Sequence, residues 1–450
     1  MPVESLEDRI QRIGSAVELL RNSPVRPHTF PGAPEYTNWR SEEQAWRDTC
    51  ALLDQSHHMT DLYLSGPDAL KVISDFSANT FNNFAVDKAK QLVVVNKDGY
   101  LIGDCILFHL AEDSFDLVGL PMAMDWIQYN AETGDYDVHI ERDDNSLVRK
   151  GAPKVYRYEL QGPTSASIVE KLTGAPAPDL KFFTMGYLTI AGHQVRTLRH
   201  GIAGQPGFEL FGPWEDQEEV LAAILEAGKD FGLKQAGGIA YSSTNLESGW
   251  IPAPLPAIFG DEMVDYRKWL SSAGAGSLGG SYLSDNIEDY YVTPYDFGYG
   301  RSVKFDHEFL GRAALEKLAE NPPKTKVTLV WNQEDVAKAM GTLFEPGLPA
   351  KYIAMPKARY ALYQADQVLV DGKRVGVSYD CGYIVNEQVF VSLSVMDIDF
   401  STPGTEVVLI WGEEPNTSKP QVEPHRQVEI RATVAPAPYE SFAREKYRSA

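Results

Sequence analysis

Gln91-Leu92-Val93-Val94-Val95-Asn96-Lys97-Asp98-Gly99-Tyr100-Leu101-Ile102-Gly103-Asp104-Cys105-Ile106-Leu107-Phe108-His109-Leu110 is the stretch from which the fold class is read. Two apolar, β-branched runs flank Asn96-Lys97-Asp98-Gly99, whose residue types supply the backbone conformations of a hairpin turn. A third run, Phe115-Asp116-Leu117-Val118-Gly119-Leu120, follows closely, so 91–95, 101–110 and 115–120 predict an antiparallel sheet. A helix is expected over 121–133, strands at 136–140 and 156–160, a short helix over 165–172 and a strand at 194–199. This order of strands and helices argues an α+β architecture.

Toward the start of the chain, Ile10, Ile13, Val17 and Leu20 recur at three- and four-residue steps. They predict one amphipathic helix over 6–21, with Ser5 as N-cap and Pro24 as the stop. Arg26-Pro27-His28-Thr29-Phe30-Pro31-Gly32 mixes cationic, aromatic and rigid residues, which suits a loop folded over a ligand and equally a surface connector. Residues 52–64 read as a strand region interrupted by Gln55, His57 and His58. In an extended chain the two histidines point to opposite faces, so they form a poor chelate. One of them is either a hydrogen-bonding or acid/base group facing a pocket, or a satisfied core histidine.

Toward the end, the glycine-punctuated loop 200–207 leads into Phe208-Glu209-Leu210. A carboxylate between two apolar residues needs partners when buried, and a ligand amine satisfies it. Residues 214–233 predict an amphipathic core helix. Ala240-Tyr241-Ser242-Ser243-Thr244-Asn245-Leu246-Glu247-Ser248-Gly249-Trp250-Ile251-Pro252-Ala253-Pro254-Leu255-Pro256 then packs a hydroxyl, a carboxylate and an indole ahead of three prolines. Prolines two apart favour an extended, stiff exit. Such a strut can hold Tyr241, Glu247 and Trp250 against a pocket, and a purely structural crossing is the alternative. Gly274-Ala275-Gly276-Ser277-Leu278-Gly279 matches GxGxxG but lacks a strand before and a helix after, so a turn is expected there. Beyond 322, short strands at 326–331, 367–370, 375–378, 389–395, 406–411 and 428–434 read as a β domain. The expected division is 1–321 and 322–450.

A chain of 450 residues exceeds one ordinary core. The balance of 41 Lys+Arg against 63 Asp+Glu, net -22, repels nucleic acid and anionic membrane surfaces. Three separated cysteines without a CxxC fit a reducing compartment and no thiolate metal site. With no apolar run of spanning length and no signal-peptide pattern, a cytoplasmic location is expected, and the glycosylation match Asn416-Thr417-Ser418 is incidental.

Three separated segments resemble the aminomethyltransferase (glycine-cleavage T-protein) superfamily of tetrahydrofolate enzymes: Asn245-Leu246-Glu247-Ser248-Gly249; Pro294 to Gly300 with Val303-Lys304-Phe305-Asp306 and Phe309-Leu310-Gly311-Arg312; and Gly376-Val377-Ser378, Gly382-Tyr383 and Pro403-Gly404-Thr405-Glu406-Val407. Asn38-Trp39-Arg40, Asp54-Gln55-Ser56-His57-His58-Met59, Arg199-His200-Gly201 and Asn286-Ile287-Glu288-Asp289-Tyr290-Tyr291 are similar to its tetrahydrofolate-dependent aryl O-demethylases, of the vanillate and syringate type. The resemblance covers nearly the whole chain. It implies a three-domain cloverleaf around a central folate channel, with a C-terminal β-barrel.

Carried over by position, the resemblance implies that Gln55, Gln91, Val118, Glu159, Glu209 and Trp250 bind folate, with Glu209 on the pterin edge and Trp250 packed on it. Tyr241 and His58 would be catalytic at the methoxy oxygen, and Phe30 and Leu120 would face the substrate. Glu159 stands where the vanillate enzymes carry Gln. Leu120 stands where the family carries an Arg matched to the aromatic carboxylate, a bidentate pair that Leu cannot form. Either the substrate lacks the usual carboxylate or His109, His28 or Arg26 holds it in another orientation, as for a dicamba-like methoxybenzoate. The implied reaction passes a methyl group from a methoxylated aromatic to tetrahydrofolate, without a metal, in a protein expected to act as a monomer. The alternatives are an aminomethyltransferase or other N- or S-methyl folate enzyme, and a folate-binding protein without turnover.

Overall fold

The hairpin read from 91–110 forms as expected: Ala89–Val95 pairs antiparallel with Leu101–Ala111. Asn96 closes its turn, its side-chain oxygen accepting from the amides of Asp98 and Tyr100, while Gly99 takes a left-handed φ of 79°. The computed structural model describes residues 4–26, 32–413 and 419–448, so His28, Phe30 and the Asn416-Thr417-Ser418 match lie outside the described residues.

Three large sheet systems carry the chain, beside a two-stranded one that pairs Leu278–Gly279 with Tyr363–Gln364. A five-stranded sheet runs in the order Ala89–Val95, Leu101–Ala111, Ser114–Gly119, Thr60–Ser65, His139–Asp143. A six-stranded sheet runs Leu233–Ala236, Cys50–Asp54, Val155–Gln161, Gly207–Pro213, His193–Arg199, Met185–Ile190. Lys324–Trp331, Val389–Asp397, Lys373–Ile384, Asp366–Val370, Glu406–Trp411 and Val428–Ala435 close into a barrel, whose inward Trp331, Trp411, Val368 and Leu409 form its own core. Its strands coincide with the six expected beyond 322, and its first begins at Lys324.

Four local expectations change. The single helix over 6–21 is two, Leu6–Ile13 and Ala16–Arg21, because Gly14 takes a left-handed φ of 94° as C-cap and the Ser15 side chain caps the second helix at Glu18. The region 52–64 is two strands, Cys50–Asp54 and Thr60–Ser65, joined by a turn in which the Ser56 amide donates to the Asp54 carboxylate at 3.0 Å. The helix over 214–233 contracts to Gln217–Gly228 with a 3-10 turn at either end, and Leu233–Ala236 becomes a strand parallel to Cys50–Asp54. A short helix that was not expected, Gly238–Tyr241, carries Tyr241 ahead of the proline strut. The 274–279 segment has a 3-10 turn, Ser272–Gly274, before it and no helix after it, as its rejection as a dinucleotide loop requires.

Two rows of side chains face each other between the first two sheets. Across the five-stranded sheet, Gln91, Ile106, Val118 and Asp61 stand in register and so project from one face. Across the six-stranded sheet the corresponding row is Leu53, Glu159, Glu209, Leu198 and Met185. Val118 and Phe108 from the first sheet pack against Met185, Leu198 and Phe211 from the second, so the rows meet.

Candidate functional site

Burying acidic groups between two sheets demands a counter-charge, and Arg157 supplies it. Its guanidinium bonds Asp61 and Asp116 of one sheet and Glu209 of its own, the last two at 2.9 and 3.1 Å, between the Phe108 and Phe211 rings. One cation faces three carboxylates, so burial and the neighbouring Asp61 push the Asp116 carboxyl well up. Next to this cluster Glu159 is fully buried and accepts from Gln55 Nε2 and from the Ile202 amide, both at 2.7 Å. Burial, with Glu209 directly across the strand pair, pushes its carboxyl up to about 8. Gln55, Glu159 and Glu209 are therefore brought together.

Tyr241 and His58 meet at the same place. The Tyr241 hydroxyl lies 3.1 Å from His58 Nε2, with the rings edge-on at 5.1 Å between centroids. Burial, then Glu159 and Glu209, hold the Tyr241 hydroxyl well above its ordinary range, so it stays a protonated donor. His57 turns away from His58, its Nδ1 3.2 Å from Ser146 Oγ and its ring edge-on to Trp214. The two histidines diverge as expected, though across a turn and not along a strand.

Gln91 and Trp250 converge on a residue that the sequence reading passed over. Asp104 Oδ2 accepts from Gln91 Nε2, from Trp250 Nε1 at 3.0 Å and from Tyr299 Oη at 3.1 Å. Asp104 projects from the same sheet face as Ile106 and Phe108, and burial raises its carboxyl to about 6 against those three donors. Lys326 reaches in from the first barrel strand, its Nζ donating to the Gly249 carbonyl at 2.6 Å, and burial lowers its ammonium to about 8. A carboxylate after glycine inside an otherwise apolar strand was the available signal, since such a residue is buried only with partners.

Other expected residues lie elsewhere. His109 projects from the opposite face of its strand, stacked on Phe115 at 4.5 Å with Nδ1 3.0 Å from the Phe84 carbonyl, and does not join Tyr241. Leu120 is half-buried at the N-cap of the helix Pro121–Thr133 and packs on the main core. Glu247 is buried and bonds Trp46, Arg47 and Asn386, tying the Trp39–Asp48 helix to the barrel half. Among the described residues, Glu159, His200 and Glu209 form the one His/Cys/Asp/Glu group whose ligand atoms all lie within 4.8 Å. Both carboxylates already accept from Gln55, Ile202 or Arg157, so this group is arranged for N–H donors. No helix among the described residues is long and apolar enough to cross a membrane.

A family profile described as GCVT N-terminal domain matches residues 16–253. A syringate O-demethylase from Sphingobium is 48% identical over 452 residues, covering 99% of this chain and 98% of that protein. The chain belongs to the aminomethyltransferase (GCVT) family. More distant relatives are a sesamin methylene transferase from Sinomonas, 29% identical over 90% of this chain and 89% of its own, and an aminomethyltransferase from Lysinibacillus sphaericus, 25% identical over 83% and 85%. In fold, the chain resembles the glycine cleavage system aminomethyltransferase T of Bartonella henselae, with a TM-score of 0.61 at 19% identity over 92% of this chain and 91% of that one. Two features mark this site: the expected Glu159 carboxyl, directly across from Glu209, and the Asp104 node that joins Gln91 to Trp250, which the sequence did not foretell.

Proposed function

We propose that this member of the family removes a methyl group from an aromatic methyl ether and passes it to N5 of tetrahydrofolate, giving a phenol and 5-methyltetrahydrofolate. The observation that carries the reading is the buried Tyr241 hydroxyl, bonded to His58 and set beside Gln55, Glu159 and Glu209. The near full-length similarity to a syringate O-demethylase supports the same reaction class, and the aminomethyltransferases are more distant.

In this reading the carboxylates bind and the phenol does chemistry. Glu159 and Glu209 retain acceptor capacity toward the amino and N–H edge of a pterin, and Gln55 orients Glu159. Gln91 and Trp250, pinned by Asp104, line the adjoining surface, and Val118 supplies an apolar wall. Attack of N5 on the methyl carbon breaks the carbon–oxygen bond in line, so the electron pair leaves on the aryl oxygen. Tyr241 donates its proton, or its hydrogen bond, to that oxygen. His58, 3.1 Å away, returns a proton to Tyr241, and the proton that N5 loses balances the product phenol. Donation of this kind accounts for about 10²- to 10⁴-fold, and alignment of the two substrates in a dry site for much of the rest.

Leu120 packs on the main core, and only the resemblance puts it where an arginine would hold a carboxylate; on that alignment a methoxyarene without the carboxylate, or a dicamba-like one with it beside the methoxy group, fits better than vanillate. The same reading takes residues 1–321 as the folate-binding region and 322–450 as the barrel domain of a cytoplasmic enzyme that works without a metal, a membrane or nucleic acid. Incubating the protein and tetrahydrofolate with methoxybenzoates, guaiacols and chlorinated anisates, and reading 5-methyltetrahydrofolate, tests it. Turnover of glycine with a lipoyl carrier instead would favour an aminomethyltransferase.

A further inference from the structure

Beyond the last barrel strand, Val428–Ala435, the chain leaves the barrel and returns to the six-stranded sheet. Glu440 caps a short helix, Ser441–Glu445, by accepting from the Phe442 and Ala443 amides, and it lies 3.6 Å from Arg47. Ala443 lies directly over Gly204: a methyl group added at that glycine would come within 2.6 Å of the Ala443 Cβ. Tyr447 then enters a buried position, edge-on to Phe182 at 5.1 Å. Its hydroxyl accepts from the Gly201 amide at 2.8 Å and lies 3.1 Å from His200 Nδ1.

Those contacts fall on the loop that holds Glu159. With Gly201, Gly204 and Gly207 in eight residues, the 200–207 loop has unusual backbone freedom to lose. Its own closing bonds are Gly204 to the Gly201 carbonyl at 3.0 Å and His200 to the Gly207 carbonyl at 3.3 Å. The two amides after Gly201 point at buried acceptors: Ile202 donates to Glu159 Oε1 and Ala203 to Gln161 Oε1, each at 2.7 Å. Because the Tyr447 oxygen accepts from Gly201, its own proton is free for His200 Nδ1, and burial with Arg199 and Arg448 nearby keeps that imidazole neutral.

We propose that Tyr447 is a positioning residue for tetrahydrofolate: its hydroxyl fastens the 200–203 backbone, which in turn fixes Glu159 and Gln161, so the segment after the barrel completes the folate pocket. This rests on the folate reading above. Tyr447 acts through the loop, without a role at the methyl group.

Tyr447→Phe keeps the ring on Phe182 and removes the hydroxyl. The expected result is a KM for tetrahydrofolate, and a Kd measured without aryl ether, raised about tenfold, with the KM for the ether unchanged and faster amide exchange at 201–203. Equal tetrahydrofolate binding by wild type and variant overturns the proposal, whereas a wild type that binds no tetrahydrofolate overturns the folate reading itself. A measurement on the wild type covers the case of a poorly folded variant. By reciprocity, saturating tetrahydrofolate must slow amide exchange over 440–448, and unchanged exchange there also overturns the proposal.

Discussion

Glu159 and Glu209 stand directly opposite each other on paired antiparallel strands, both shut off from solvent, with one arginine bonded to Glu209 and, among the described residues, none to Glu159. Like charges so placed are costly, and Glu159 escapes by keeping its proton to about pH 8. Its carboxyl is raised from an unfolded value of 4.5, so its contribution to stability is full below 4.5 and is lost as pH rises toward 8. Glu159→Gln removes that loss. Melting temperatures of the variant and wild type should be similar at pH 5 and separate in favour of the variant toward pH 8, with folate binding retained. A gap that closes as pH rises would be inconsistent with a raised Glu159.

Among the described residues, Arg157 is the one cation that bonds Asp61, Asp116 and Glu209 together. Arg157→Met leaves the three carboxylates without it, and removal of one partner of a buried ion pair costs about 3–5 kcal/mol. Urea denaturation should show that loss at pH 7 and a smaller one at pH 5, because burial raises the Asp116 and Glu209 carboxyls and their protonation relieves the unpaired charge.

Asp104 should make folate binding fall in acid. Its carboxyl is raised to about 6, and once protonated it no longer accepts from Gln91, Trp250 and Tyr299 together. Tetrahydrofolate affinity is expected to be steady above pH 7 and to weaken as pH drops below 6. Asp104→Asn should weaken it about tenfold or more at pH 7 and flatten that acid limb, as titration of Trp250 fluorescence with folate would read.

Leu120 sets the choice of substrate in this account. Leu120→Arg restores the fork that pairs a carboxylate in two bonds. The variant should gain turnover of vanillate or syringate relative to uncharged methoxyarenes. An unchanged preference across the panel would remove Leu120 from the substrate pocket.

Much of this arrangement was legible because it is local. The Asn96 to Gly99 turn, the apolar run through 101–110 and the six barrel strands each follow from neighbours in sequence, and all formed. The pairing of Cys50–Asp54 with Leu233–Ala236 joins segments far apart in the chain, and no local pattern at 233–236 distinguishes a strand from the end of a helix. The same distance hid Arg157, whose partners lie on three different strands, and Tyr447, whose partners belong to a loop over two hundred residues earlier. The face that His109 takes could not be read from the apolar run around it; its stack on Phe115 fixes it.

The pair formed by Tyr241 and His58 bears on the central claim most directly. Wild-type protein, tetrahydrofolate and a methoxyarene carrying a deuterated methyl group should yield 5-methyltetrahydrofolate with all three deuterons, one per phenol released. Tyr241→Phe should bind tetrahydrofolate as the wild type does and form that product at least about 100-fold more slowly in a single turnover. Product formed by the Phe variant at the wild-type rate, or none formed by the wild type from any methoxyarene, would contradict the account.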